Sequence, residues 1–260
     1  MKTQKPGLIL SLKLLAAKIV GSELVGRIVR TVYRNQIPWI GGRLFADPSL
    51  VAPRTCAVIR FGLYESAERR MIARSLRPGD RVIELGSSIG GISCVIHAAV
   101  RAGGRVGMVE ARRELLDLAL ANVRNNFPAA TPVSLAGAID YSRPGDATIS
   151  FADPGTNIDG RIAVENSGRA IPRYTLAEAL RLLPGQWNVL VADIEGAEIG
   201  LILKDFGSLA GFDCLIFELH AGCFGGRDYT ISDIEALIVA TGVFQNAGRD
   251  GPVVRYDRIK

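Results

Sequence analysis

The stretch VIELGSSIGGISC, residues 82–94, decides the fold. An apolar run reaches Glu84 and then enters a glycine-rich turn over residues 86–91, and a helical pattern follows. A strand, a glycine turn and a helix in this order are typical of the ligand-binding corner of an α/β sheet. In such sheets ligands lie beyond the carboxyl ends of the strands, where the strand order reverses.

Strand and helix patterns alternate over most of the chain. Helices are predicted at residues 65–76, 89–101, 112–127, 175–183, 197–206 and 231–242. Strands are predicted at residues 56–61, 81–85, 103–111, 132–139, 147–152, 189–194, 213–219 and 252–259, with a polar loop over residues 153–171. This alternation predicts an α/β fold, doubly wound around a mostly parallel seven-stranded, Rossmann-like sheet.

The first 55 residues are predicted to form a helical, basic arm, and residues 56–260 form the main domain. Residues 1–43 hold eight basic residues against one acid, Glu23, whereas the whole chain carries a net charge of +5. Apolar residues recur at helical spacing on either side of a break at Gly21-Ser22, and residues 37–49 read as loop. The favoured interpretation is a helix packed on its own domain or on a second subunit. The alternative is peripheral contact with an anionic membrane.

Composition narrows the possible partners and the compartment. Because the basic residues are concentrated in the arm rather than on the main domain, we expect no nucleic-acid partner. No run of 18 apolar residues exists, so no transmembrane helix is predicted. The four cysteines form no C-x-x-C pair, which favours reduced thiols in a cytoplasmic protein, with membrane association as a further possibility.

The residues of the turn select the ligand. A dinucleotide site carries a second glycine where this chain has Ser88, so a pyrophosphate is disfavoured. Glu84, at the end of the first strand, suits a cationic ammonium group. Glu110 ends the second strand, where a carboxylate accepts both hydroxyls of a ribose. A nucleoside, an amino-acid tail and no phosphate together describe S-adenosylmethionine.

Four segments resemble the FkbM family of S-adenosylmethionine-dependent methyltransferases. They are GLYE at 62–65, ELGSSIGGIS at 84–93, the end of the helix after Glu110 at Asn122 and Val123, and VLVADIEGAE at 189–198 followed by LIFELH at 215–220. The resemblance implies a class I methyltransferase that transfers a methyl group to a hydroxyl of a sugar, polysaccharide or secondary metabolite. The chain departs from the family pattern at three positions. Glu84 replaces aspartate, Ser88 replaces asparagine and Val191 replaces lysine.

The combined interpretation assigns the cofactor to one set of residues. The methionine part is predicted to lie over residues 84–91, and the adenine near residues 138–141. The predicted cofactor-binding residues are Tyr64, Glu65, Glu84, Gly86, Ser87, Ser88, Gly90, Glu110, Ala138 and Asp193.

An acidic cluster with one histidine carries the predicted chemistry. Asp193 and Glu195 follow one strand, and Glu218 and His220 end the next, so their side chains are expected to converge. A neutral imidazole can take the proton of an aliphatic hydroxyl as the methyl group arrives. We therefore predict His220, Asp193 and Glu195 as catalytic residues, with His220 as base and Asp193 as the orienting acid.

Two further assignments accompany this one. The four side chains of the cluster also offer enough ligand atoms for Mg²⁺, but nothing in their spacing is diagnostic of an ion, so we predict no metal site. Glu198 is interpreted as a helix-start residue and His97 as a core residue without a role.

Two rival functions remain open at this stage. The first is a non-catalytic module that binds S-adenosylmethionine or a protein partner, to which the valine at position 191 points. The second is an NAD-dependent oxidoreductase, which Ser88 disfavours.

Overall fold

The computed structural model describes residues 20–143, 145–152, 161–162 and 168–259. The described residues separate into two compact units, the first up to Tyr64 and the second from Glu65 onward. The helix predicted before residue 20 and most of the loop predicted over residues 153–171 lie outside the described residues.

The described residues of the first unit include two helices, α1 (Glu23–Tyr33) and α2 (Pro53–Arg60). The predicted break before α1 is confirmed, because the Ser22 hydroxyl accepts a hydrogen bond from the Val25 amide and caps the helix. At Gly26 the two helices meet so closely that a Cβ atom would lie 2.0 Å from the Pro53 carbonyl oxygen.

Two predictions for this unit were wrong. Residues 37–49, predicted as loop, contain an antiparallel hairpin of β1 (Gln36–Trp39) and β2 (Gly42–Phe45). The strand predicted at residues 56–61 lies instead in α2. Proline is favoured in the first turn of a helix, and Pro53 starts α2, whereas the short apolar run alone fits a strand or a helix equally well.

The second unit contains the remaining elements in alternating order. Its helices are α3 (Ser66–Ser75), α4 (Gly91–Val100), α5 (Arg113–Asn126), α6 (Leu176–Leu182), α7 (Glu198–Lys204), α8 (Phe206–Leu209) and α9 (Ile231–Ala240). Its strands are β3 (Arg81–Leu85), β4 (Arg105–Glu110), β5 (Val133–Ala136), β6 (Ala138–Ile139), β7 (Thr148–Ala152), β8 (Arg161–Ile162), β9 (Arg169–Tyr174), β10 (Val189–Ala192), β11 (Cys214–Glu218), β12 (Gly222–Phe224), β13 (Arg227–Tyr229), β14 (Phe244–Asp250) and β15 (Val253–Arg258).

Seven of these strands form one sheet in the order β14-β15-β11-β10-β3-β4-β5. The five strands from β11 to β5 are parallel, β15 runs antiparallel to β11, and β14 runs antiparallel to β15. The predicted fold class, a doubly wound and mostly parallel seven-stranded sheet, is confirmed. Strand β14 was not predicted, because its sequence FQNAGRD is polar and most of it is solvent-accessible at the sheet edge.

Helices cover both faces of this sheet. The helices α3, α4 and α5 pack side by side on one face, and residues of α6 to α9 share a core cluster with Ile83 and Leu85 on the other. Because side chains alternate along a strand, Glu84 faces the α3–α5 side. The strand order reverses between β3 and β10, so the carboxyl ends of these two strands mark the ligand-binding crevice of such a sheet.

Two smaller sheets complete the second unit. One has the order β6-β9-β7-β8, and the other is the hairpin of β12 and β13. Within the described residues, no helix is long and apolar enough to cross a membrane.

Candidate functional site

The turn after β3 requires glycine at two positions. Gly86 has φ +91°, and a Cβ atom there would lie 1.9 Å from the Asp193 carbonyl oxygen. Gly90 has φ +82°, and its Cβ atom would lie 2.8 Å from the Ala119 Cα atom. The turn is therefore packed directly against the segment after β10 and against α5.

Ser88 adopts the left-handed conformation with φ +46°, which is uncommon for a residue other than glycine. Its amide donates a hydrogen bond to Glu110 Oε2 at 2.8 Å, and its hydroxyl oxygen is buried without a hydrogen-bond partner. The chain thus presents a hydroxymethyl group at the position where a dinucleotide site exposes bare backbone.

Glu110 is fixed by the backbone around it. Besides the Ser88 amide, its carboxylate accepts a hydrogen bond from the Arg112 amide to Oε1 at 2.9 Å. Burial raises the pKa of Glu110, and these two amide hydrogen bonds oppose that rise. Two hydrogen bonds leave further lone pairs on the carboxylate, so it can still accept ligand hydroxyls.

Glu84 is buried beneath the turn, with 1% of its surface exposed. The Ser93 hydroxyl of α4 donates a hydrogen bond to Glu84 Oε2 at 2.6 Å, whereas Oε1 is buried and has no hydrogen-bond partner. Burial raises the pKa of Glu84 to about 8. An unpaired carboxylate oxygen of this kind is a place for a cationic ligand group.

The predicted convergence of side chains after β10 and β11 is present. His220 Nε2 lies 3.9 Å from Asp193 Oδ1 and 3.9 Å from Glu195 Oε2. Burial raises the pKa of Asp193 to about 8, and the negative charge of Glu218 contributes further to the rise. Glu195 has φ +53°, so the backbone turns sharply at this point.

Glu198 has a larger structural role than its position at the start of α7 predicts. Its completely buried carboxylate accepts hydrogen bonds from the Ile194 amide at 2.9 Å and the Gly196 amide at 2.8 Å. Glu198 Oε1 also lies 3.4 Å from His220 Nδ1. This carboxylate raises the pKa of His220 to about 9, so the imidazole is protonated near neutral pH.

Sequence reasoning missed one acidic residue of the site, Glu68. It lies on α3, is 4% exposed, and belongs to the buried face of that helix with Met71, Ile72 and Ser75. The spacing i, i+3, i+4, i+7 was the available signal, because it places Glu68 on the inward side.

The other predicted cofactor residues occupy different surroundings. Tyr64 is buried in the first unit, where its ring packs edge-on against Trp39. Glu65 immediately precedes α3, and buried Ser87 has its hydroxyl 3.4 Å from the Val109 carbonyl oxygen. Ala138 packs with Ile149 and Ile171 in a small apolar cluster.

Two clefts of the second unit lie beside these groups. A cleft of about 260 Å³ is lined by residues 111–114, Ala136 and residues 169–172, next to the end of β4. A second cleft, of about 430 Å³, reaches Glu195 and the start of α7. Its remaining lining includes Asp140, Ser142, Arg143 and Phe224.

Two residues outside the acidic cluster complete the comparison. His97 is half-buried and stacks on Phe127, and burial lowers its pKa to about 4, as expected of a histidine that packs in the interior. Arg173 is not the solvated residue that its polar surroundings in the sequence suggest, because it is buried with its Nε atom 3.6 Å from Asp140.

No protein-family model and no curated protein matches the sequence. Solved structures match the fold. An rRNA-methylase from Clostridium thermocellum has 9% identity, a TM-score of 0.43, and covers 74% of this chain and 94% of its own. Fibrillarin from Aeropyrum pernix, in complex with S-adenosyl-L-methionine, has 14% identity, a TM-score of 0.41, and covers 69% and 67%. An RNA methyltransferase from Pyrococcus horikoshii has 10% identity, a TM-score of 0.44, and covers 90% and 98%.

At these identities the likeness is one of fold. The second unit has a doubly wound, mostly parallel α/β sheet, and the solved structures similar to this chain include an S-adenosylmethionine-dependent methyltransferase from Aquifex aeolicus. The comparisons contradict the prediction that nucleic acid is no partner, because the similar solved structures include proteins described as an rRNA-methylase and an RNA methyltransferase.

Proposed function

We propose that the chain is an S-adenosylmethionine-dependent methyltransferase that transfers a methyl group to a hydroxyl oxygen. The observation that carries this proposal is the pair of buried carboxylates, Glu84 and Glu110, on adjacent strands around a glycine turn at the point where the strand order reverses. Each carboxylate keeps acceptor capacity that the protein does not use.

The residues present suit this cofactor. Glu84 Oε1 is an unpartnered buried acceptor for an ammonium group, and Glu110 is oriented by two amides toward ribose hydroxyls. The cleft at residues 111–114 and 169–172 lies next to Glu110 and is proposed to take the adenine. When bound, S-adenosylmethionine supplies an activated methyl group on a positively charged sulfur.

His220, Asp193 and Glu195 are proposed to handle the acceptor proton, and Glu198 holds His220 in place. His220 is held between Glu198 on one side and Asp193 and Glu195 on the other. These carboxylates orient the imidazole and stabilise its protonated form, which is the form left after it takes the hydroxyl proton. A cationic cofactor nearby lowers the pKa of His220 from about 9 and makes the neutral base accessible.

The cleft that reaches Glu195 is proposed to hold the acceptor. Asp140, Ser142 and Arg143 offer hydrogen-bonding groups, while Phe224 offers an apolar surface, a combination that suits a hydroxylated molecule such as a sugar. We propose a sugar, polysaccharide or hydroxylated secondary metabolite as the acceptor class, in line with the resemblance to the FkbM family.

Cofactor binding is tested by calorimetry with S-adenosylmethionine, its demethylated product and NAD. We expect both sulfur nucleosides to bind, and Glu110→Ala to weaken S-adenosylmethionine at least tenfold. Asp117→Ala is the matched control, since Asp117 is an exposed carboxylate on α5 that pairs with Arg113. Tight binding of NAD alone would identify an oxidoreductase instead.

Catalysis is tested by methyl transfer to a panel of glycans, hydroxylated metabolites and RNA. His220→Ala is expected to abolish turnover and to leave the affinity for S-adenosylmethionine within about threefold. Turnover unchanged by this substitution removes His220 from the mechanism. Cofactor binding without transfer to any acceptor supports the non-catalytic module.

A further inference from the structure

Three carboxylates from separate elements lie close together beside the proposed cofactor-binding site. Glu68 of α3, Asp193 after β10 and Glu218 at the end of β11 each place one oxygen within 4.8 Å of the other two. The two strands are neighbours in the sheet and α3 packs against β11, so the fold itself brings these side chains together.

The Glu68 side chain is an independent sign of a missing partner. It is 4% exposed, and the charged groups that act on it within the described part of the chain are other carboxylates, with no hydrogen bond to it. Buried carboxylates of soluble proteins nearly always have hydrogen-bond or ion-pair partners. Asp193 Oδ1 is likewise buried and accepts no hydrogen bond.

No positive side chain in the described residues is placed to neutralise all three carboxylates. His220 is nearest, but it lies on the Glu195 side of Asp193 and is held there by Glu198. The buried position opposite Glu84 in the neighbouring strand is Val191, so that strand supplies no cation either. Three carboxylates this close, with Glu68 buried and the other two half-buried, repel one another and favour bound protons or a bound cation.

We propose that Glu68, Asp193 and Glu218 bind a divalent cation that prefers oxygen ligands, Mg²⁺ or Mn²⁺. Three carboxylates without a thiolate or an imidazole form a donor set for hard cations, which keep water molecules in their remaining positions. The role of the ion rests on the proposed function. Bound beside Asp193, the ion would lie near His220 and act as a Lewis acid that polarises the acceptor hydroxyl. This proposal differs from the sequence-based prediction, which assigned no metal site.

The experiment is a titration of the full chain with Mn²⁺, followed by the loss of the electron paramagnetic resonance signal of the free ion. We expect one ion per chain, and a loss of affinity of at least tenfold in Glu68→Gln. Asp117→Asn is the matched control, because it removes an exposed carboxylate elsewhere in the same unit. Uptake that is absent, or equal in wild type and Glu68→Gln, overturns the proposal.

Two further measurements keep the test decisive. Glu68→Gln is expected to melt no lower than wild type in a chelator, because a neutral amide relieves the repulsion among the three carboxylates. Glu218→Gln takes its place if that variant does not fold. Binding of S-adenosylmethionine is measured on the same preparations, so that its failure overturns the proposed function and failure of Mn²⁺ uptake overturns the metal site alone.

Discussion

Ser88 combines local strain with a place in the proposed site. A side chain in the left-handed region costs about 1 kcal/mol, and the hydroxyl oxygen of Ser88 is buried without a partner. We expect Ser88→Gly to raise the free energy of unfolding by about 0.5–1 kcal/mol. Removing the strained side chain and its unpaired hydroxyl stabilises the folded state by more than the added backbone freedom of glycine stabilises the unfolded chain. Urea denaturation measures this change.

The neighbouring serine provides the control for that prediction. Ser87 does not have positive φ, and its hydroxyl lies 3.4 Å from the Val109 carbonyl oxygen. Ser87→Gly is therefore expected to destabilise the protein by about 0.5–1 kcal/mol. If both variants lose stability, the left-handed conformation of Ser88 does not destabilise the folded protein, and the prediction is wrong.

Glu84 makes stability depend on pH. Its pKa is about 8 in the folded chain and 4.5 ordinarily, so between these values the folded state holds a proton that the unfolded state has released. The stabilising contribution is complete below pH 4.5 and is lost as the pH rises through 8. We expect the cofactor-free protein to lose a few kcal/mol of stability across this window, on the order of the pKa difference.

The substitution Glu84→Gln isolates this effect. A glutamine stays neutral, keeps an acceptor for Ser93 and should reduce the slope of the pH profile between pH 6.5 and pH 8. Asp193 and His220, whose pKa values are raised to about 8 and about 9, keep part of the slope in the variant. His97 has a pKa lowered to about 4, so its contribution is complete above 6.5 and does not act in this narrower window. Profiles of wild type and variant that run parallel would contradict a protonated Glu84.

The environment of some site residues can be predicted from the sequence, and that of others cannot. The acidic ends of β3 and β4 follow from position alone, since a residue at the end of a buried strand lies beside the turn. The protonation state of His220 could not be foretold, because it depends on Glu198, which reaches it only through the turn at residues 194–196. Sequence spacing does not encode a distance created by a turn with positive φ at Glu195.

At the scale of elements, the contact between the glycine turn and the segment after β10 determines the site. Gly86→Ala places a Cβ atom against the Asp193 carbonyl oxygen and also strains a residue at φ +91°. We expect a loss of about 3 kcal/mol or more and a loss of S-adenosylmethionine binding. Gly79→Ala is the control, because Gly79 has φ +90° and no atom within 4 Å of the added Cβ.

The control separates two physical effects. Gly79→Ala reports only the strain of the left-handed conformation, which is expected to cost about 1 kcal/mol. The difference between the two variants in urea denaturation measures the steric contact. Equal losses in both would mean that β3 and the segment after β10 can move apart without further cost.

The start of α7 depends on a single carboxylate. Glu198 accepts hydrogen bonds from two amides through its two oxygens, and a glutamine offers only one oxygen and turns its amide group toward the other N–H. Glu198→Gln is expected to lower the free energy of unfolding by about 1–3 kcal/mol. Thermal melts of this variant beside Glu178→Gln, whose carboxylate caps the exposed start of α6, check whether burial makes the difference.

Helices and strands could be predicted where the apolar pattern fits only one of the two. The buried strands β3, β10 and β11 are short apolar runs next to turns, and these predictions were confirmed. Strand β14 has only one fully buried residue, Phe244, so its pairing with β15 is invisible in the hydrophobic pattern. In α2 the proline at the first helical position outweighs the β-branched residues that the apolar run also contains.

At the scale of the whole molecule, the site contains buried polar groups without hydrogen-bond partners and carboxylates that lie close together. Glu84 Oε1 and the Ser88 hydroxyl are buried without hydrogen-bond partners, and the carboxylates of Glu68, Asp193 and Glu218 lie within 4.8 Å of one another. Such groups lower the free energy of unfolding of the ligand-free protein, and a bound ligand raises it again. Stability and ligand binding are therefore expected to be strongly linked.

The linkage can be measured by following the melting of the second unit alone. Each unit contains one of the two tryptophans, Trp39 in the first and Trp187 in the second, so Trp39→Phe leaves fluorescence that reports on the second unit. At one hundred times its Kd, S-adenosylmethionine adds about 2.7 kcal/mol. For a chain of this size that raises the melting temperature by about 5–10 °C, whereas NAD at the same concentration is expected to leave it unchanged. Glu110→Ala, added to Trp39→Phe, should remove most of the shift at that fixed concentration. An equal shift with NAD would show that the seat around Gly86 accepts phosphates, and the argument from Ser88 would then be wrong.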